Sequence, residues 1–140
     1  LSMFLTTEPG LESGFMIAHV TPAALASENR TLAHPASIDN VTTSAGQEDH
    51  VSMAPWAGYK LQRICDNTAH VLAIELLAAA HAIDKMKPLQ TTEPLQRVHG
   101  FVRQYVEFRP YDHRLDREIK ILAEVIARGA LSTFLIDAQA

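Results

Sequence analysis

Residues 69–83, AHVLAIELLAAAHAI, are apolar on nearly every side when wound into a helix, with only His70, Glu75 and His81 interrupting. Alanine and leucine favour helix strongly, and no glycine or proline breaks the run. A helix that is apolar all round is one surrounded by other helices. Working back from this stretch, the helical spacing passes Gly58 and Pro55, which are weak points. It reaches Ser44, which with Gln47 three residues later fits a capping box. The expected helix therefore covers about 47–85, roughly 58 Å at 1.5 Å per residue. A compact 140-residue domain is only about 37 Å across. Even begun after Pro55, such a rod would be about 45 Å long and could not be enclosed by its own chain. The expected architecture is all-α: an elongated piece of a helical bundle with one long central helix. Its remaining neighbours come from further polypeptide or from other copies.

Elsewhere the same signals repeat. A first helix is expected over about 14–32, with Ser13 as N-cap and Pro22 either kinking it or costing it one hydrogen bond. His34-Pro35 opens a loop that lasts to Thr43, because the residue before proline avoids the helical basin. Pro88 and Thr91-Thr92 make the next joint. A third helix over about 93–107 places Leu95, Val98, Val102 and Val106 on one side. Arg109-Pro110 ends it, and Asp112 can cap a fourth helix carrying Leu115, Ile119, Leu122 and Ile126, stopped by Gly129. No period-2 strand pattern competes. The expected division is 1–86 for the central helices and motif, and 87–140 for the C-terminal helices.

Composition narrows the function classes. Net charge is −4 with no basic block, which argues against a nucleic-acid partner. The apolar run is too short and too often interrupted to span a membrane. A lone cysteine, Cys65, cannot form an internal disulfide, so a reducing, cytoplasmic home is expected. None of the seven histidines has another three or four residues away, and Asp66 with His70 is only half a site, so no dedicated metal site is expected. Gly-rich phosphate loops and a Gly-x-Ser-x-Gly elbow are both missing, and nothing activates Cys65.

The residues best placed for chemistry are Gln47 and Glu48. In the first turn of a helix, unpaired N–H groups and the dipole favour an anionic carboxylate there. Such a group can hydrogen-bond an imidazole or exchange a proton with it, or simply stabilise its own helix. Gln47 serves either as capping partner or as a pocket amide. Met16 at helical spacing reads as core packing or as a pocket wall. Glu28 and Asn29 are read as stabilising a helix end or a subunit contact. His50 is expected to bond a nearby helix, and Glu75, in an apolar stretch, is expected to have a buried partner.

Taken together, Thr43-Ser44-Ala45-Gly46-Gln47-Glu48-Asp49-His50-Val51-Ser52-Met53 resembles the active-site run of histidine ammonia-lyases. The resemblance continues upstream in Gly14-Phe15-Met16-Ile17-Ala18 and Ser27-Glu28-Asn29, and downstream in residues 71–80. It covers most of residues 4–84 and only loosely the rest. It implies the C-terminal helical part of a tetrameric enzyme that eliminates ammonia from L-histidine to give trans-urocanate, with each pocket built from several subunits. It also implies Glu48 as the catalytic residue contacting the imidazole, with Gln47 and Met16 near the substrate. The family's methylidene-imidazolone electrophile arises from an Ala-Ser-Gly that this chain lacks; Glu12-Ser13-Gly14 and Ser44-Ala45-Gly46 are near-misses. With Leu1 at its start, the chain is expected to be a fragment, inactive alone. Pro22 and Pro55 depart from the family's pattern. A non-catalytic helical interaction module and an aryl ammonia-lyase or aminomutase relative remain the alternatives.

Overall fold

The computed structural model describes residues 1–38 and 40–137. Among them the regular elements are helical: α1 (Met16–Leu32), α2 (Ala54–Lys85), α3 (Glu93–Tyr105), α4 (Asp116–Ala127) and α5 (Ser132–Asp137). Short 3-10 turns at Met3–Leu5, Ala36–Ile38 and Ser44–Gly46 punctuate the loops.

The long helix is present, but it begins at Ala54, not at Gln47. A capping residue needs extended backbone, whereas Ser44, Ala45 and Gly46 all adopt left-handed conformations, with φ of 53°, 54° and 85°. The capping box therefore does not form; the residue before α2 is Met53, which makes no side-chain cap. Pro55 falls in the first turn of α2, where its missing N–H costs nothing; it is a start signal and not a weak point. At 32 residues α2 is about 48 Å long.

Three helices pack against this rod. α1 runs antiparallel to it. Near the end of α1, Glu28 accepts bonds from Arg63 Nε (3.2 Å) and Asn67 Nδ2 (2.9 Å), and Asn29 Oδ1 accepts from the same amide (2.9 Å). Just before α1 begins, the Phe15 ring lies 5.1 Å from His81. Pro22 sits inside α1 and withholds one backbone donor from its ladder. On the other side α4 and α3 meet the second half of α2. Ala73, Ile74, Leu77 and Ala80 form a core there with Val102, Val106, Leu122 and Ala123. Fully burying a side chain such as Leu122 or Val102 contributes about 1.5–3 kcal/mol each.

Polar groups fasten the ends. Buried Asp84 bonds Lys87 Nζ through Oδ1 (2.6 Å) and His99 Nε2 and Arg103 Nε through Oδ2 (3.0 and 2.8 Å), tying α2 to α3. Burial raises this carboxyl's pKa, but those three donors outweigh it and hold the group down to about 2. Ser13 does not cap α1. The residue before that helix is Phe15, and the Ser13 and Gly14 amides donate instead to Asp112 at 2.7 and 2.8 Å. Asp112 in turn does not cap α4, which begins at Asp116 behind Leu115. Gly14 is obligatory here. Its φ is +55°, and a Cβ would lie 2.4 Å from the Phe4 carbonyl oxygen. Gly129, at φ +71°, ends α4 as its sequence predicts, with Ala130 N donating to Val125 O at 3.2 Å.

Apart from the Glu28 clamp and Lys60 bonding the His34 carbonyl, the first half of α2 is largely uncovered. Its first buried residue is Asn67, and Trp56, Tyr59 and Leu61 are all more than half exposed. Among the described residues Glu75 does not have the buried partner expected of it; it is exposed, between two shallow apolar grooves that include Ile74 and Ala78 on one side and Leu76 and Ile126 on the other. No helix among the described residues is long and apolar enough to cross a membrane.

Candidate active-site loop

Between α1 and α2 the chain forms a loop, exposed throughout residues 41–50, whose shape is set by three residues. Thr43 and Glu48 pair through their backbones, with Thr43 N donating to Glu48 O at 2.9 Å and Glu48 N to Thr43 O at 3.4 Å. The left-handed turn Ser44–Gly46 lies between them. Two non-glycine residues in that conformation cost about 1–2 kcal/mol each, a strain the surrounding bonds must hold. Asn40 supplies the rest. Its side-chain Nδ2 donates to Asp49 O at 2.9 Å, and its Oδ1 accepts from Val51 N at 2.7 Å. One amide thus clasps the loop on both sides of His50.

Glu48 therefore sits on a pinned loop, not in the first turn of a helix. Its Oε2 accepts a bond from Thr43 Oγ1 at 3.3 Å. Among the described residues its Oε1 has no partner, so one carboxylate oxygen is anchored and the other is open. Gln47 closes the turn through its backbone, donating to Ser44 O at 3.1 Å, and its side chain is exposed. Among the described residues His50 bonds no neighbouring helix. It lines a concavity of about 310 Å³ with Ala36, Ser37, Val51, Ser52, Met53, Ala54 and Ala57, directly beside the start of α2. In that first turn Ala54 N donates to Ser52 Oγ at 3.3 Å and Ala57 N to Met53 O at 3.0 Å, while Pro55 has no N–H to offer.

Met16 is elsewhere. It opens α1 beside Phe15, which packs on His81 near the far end of α2. Ala54 and His81 are about 40 Å apart along the helix. From Met53 back to Glu48 the chain can reach at most about 17 Å. Met16 and Glu48 of one copy therefore cannot line the same pocket. Glu28, read from sequence with Asn29 as stabilising a helix end or a subunit contact, joins Asn67 and Arg63 in clamping α1 to α2. Hydrogen bonds from Asn67 and then Arg63 hold the Glu28 carboxyl below its usual pKa. Sequence reasoning missed Asn40 and Thr43, whose partners lie five to eleven residues away with no periodic pattern to announce them.

His70 directs Nδ1 at its own helix, 2.8 Å from Asp66 O. Among the described residues no group of three or more His, Cys, Asp or Glu side chains is placed to hold a metal ion. The electrophile expected from the resemblance does not fit this chain. Its Ser-Ala-Gly turn has the wrong order of residues, and no Ala-Ser-Gly exists to cyclise.

An all-helical rod carrying a Gln-Glu-Asp-His loop at its head defines the class. Residues 1–104 match the family model for aromatic amino acid lyases, and the chain belongs to that family. It is 52% identical over 132 residues to histidine ammonia-lyases of Burkholderia cenocepacia and Burkholderia vietnamiensis, covering 94% of this chain and 26% of theirs. The crystal structure of histidine ammonia-lyase from Trypanosoma cruzi superposes with a TM-score of 0.90 at 42% identity, over 98% of this chain and 27% of that one. Tyrosine aminomutase from Streptomyces globisporus gives a TM-score of 0.89 at 31% identity, over 98% of this chain and 26% of that one. The chain thus spans about a quarter of the length of these relatives.

Proposed function

We propose that this chain is the C-terminal helical part of an enzyme that eliminates ammonia from L-histidine to give trans-urocanate, and that Glu48 is its catalytic contribution. The observation that carries the reading is the open carboxylate oxygen of Glu48 on a loop pinned at Asn40 and Thr43. A carboxylate held in that way can accept a hydrogen bond from an imidazole N–H and orient the ring, or take up a proton. A phenyl ring has no N–H or O–H to offer it, which favours histidine over phenylalanine. The higher identity to histidine ammonia-lyases than to the aminomutase points the same way. Gln47, exposed beside Glu48, is the second polar group offered to the substrate.

Geometry also supports a pocket assembled from several copies. Met16 serves as pocket wall only if the Met16 end of one copy meets the Glu48 end of another. The exposed Trp56, Tyr59 and Leu61 of α2 are the surface such neighbours would cover, and a homotetramer satisfies this. The methylidene-imidazolone electrophile belongs to polypeptide outside these 140 residues, so the isolated chain is inactive. We assign residues 1–86 to the central helices and motif, 87–140 to the C-terminal helices, and a cytoplasmic location in keeping with the single reduced cysteine.

The test is an assay of the complete protein against histidine, tyrosine and phenylalanine. The reading expects urocanate from histidine and little turnover of the other two. Preference for an aryl substrate, or a rearranged β-amino acid product, would replace it.

A further inference from the structure

Thr43, the first residue of the motif run, carries a hydroxyl that reaches Glu48. Thr43 lies five residues before Glu48, yet it touches that residue three times: through N–H to Glu48 O, through C=O from Glu48 N, and through Oγ1 to Glu48 Oε2. The backbone pair fixes where the Glu48 Cα sits. The hydroxyl bond selects among the rotamers available to a long, exposed side chain, and such a side chain otherwise loses considerable rotamer entropy on being held in one arrangement. At 3.3 Å the bond is long for O–H···O, so it biases the carboxylate without locking it. The Asn40 clasp, on the far side of Asp49, keeps the loop from swinging as a unit.

We propose that Thr43 is a positioning residue for Glu48: its hydroxyl holds Oε2 so that Oε1 faces the incoming imidazole. The proposal rests on the role assigned to Glu48 above. It predicts that the side-chain hydroxyl matters through the carboxylate alone, because the backbone pairing survives any substitution that keeps the backbone. Thr43 is exposed, and replacing it with isosteric valine removes the donor without opening a cavity.

The experiment is a double-mutant cycle in the complete enzyme with Thr43→Val, Thr43→Ser and Glu48→Gln. Histidine kcat and KM are measured, with urocanate affinity by calorimetry and the melting temperature for each variant. Glu48→Gln is expected to lower kcat about 100-fold, as for loss of a positioned acid–base group. Thr43→Val should lower kcat about fivefold to tenfold and weaken urocanate binding, with the melting temperature unchanged; Thr43→Ser should restore both. In the Glu48→Gln background, Thr43→Val should have no further effect, since coupled residues are not additive. An undiminished loss in that background, or no loss in the parent, overturns the role of Thr43 while Glu48 stands. If Glu48→Gln itself costs nothing, both assignments fall together.

Discussion

His81 is wedged between aromatic rings, 5.1 Å from Phe15 and 4.9 Å from Phe108. Burial first, then the positive charges of Lys85 and Arg103, push its pKa from 6.5 down to about 4. The folded chain therefore refuses a proton that the unfolded chain accepts between those values. Stability is unaffected above the unfolded pKa and falls as pH drops from 6.5 towards 4, by about 3 kcal/mol at the limit. Asp84 then adds its own loss between 3.8 and about 2, as protonation removes the carboxylate that its donors hold. Urea midpoints measured from pH 7 to pH 3 should decline in that order, and His81→Leu should flatten the upper part of the decline. A wild-type midpoint constant down to pH 4.5 would contradict this. At the same scale, Gly14→Ala forces a Cβ against the Phe4 carbonyl and keeps a positive φ. A loss of about 2–4 kcal/mol is expected in the same titration.

At the scale of elements, what the sequence disclosed and what it hid follow from range. α3 and α4 were legible because Val102, Val106, Leu122 and their neighbours repeat at the period of the face they bury. The rod was legible from residues 69–83, and its lower end fell at Lys85 as expected. The upper end was not. The Ser-x-x-Gln pattern is local, but whether Ser44 caps depends on its φ, and the paired Thr43 and Glu48 force it left-handed. Asp112 was misassigned for a similar reason. Its nearest helix lies four residues on, whereas its partners Ser13 and Gly14 are about a hundred residues away. Met16 and Glu48 looked like neighbours because they share a family motif set, and only the antiparallel packing of α1 on α2 separates them. The packing yields its own expectation. Leu122→Ala, at a site with no exposure, should cost about 3 kcal/mol. Thermal unfolding would show it, and a loss below 1 kcal/mol would mean α4 is not docked as described.

Taken as a whole, the molecule offers a rod with one side finished and one side open. Leu61, Cys65, Thr68, Leu72, Glu75 and Ala79 alternate in steps of four and three along α2, and all are exposed. That spacing is the seam of a helix meeting another helix at a shallow angle. Within the 140-residue chain, Leu61→Lys should change stability by less than about 0.5 kcal/mol, as for an ordinary surface site. In the complete enzyme the same change should prevent assembly, which sedimentation would reveal as lighter species. An intact assembly carrying Leu61→Lys would show that this face stays in water. Every role assigned here then converges on one carboxylate at the head of that rod. The most direct measurement is a crystal structure of the complete protein with urocanate bound. The account predicts Glu48 Oε1 within hydrogen-bond distance of an imidazole nitrogen, in a pocket walled by Met16 of another copy. Glu48 facing solvent, with the imidazole held by other groups, would contradict it.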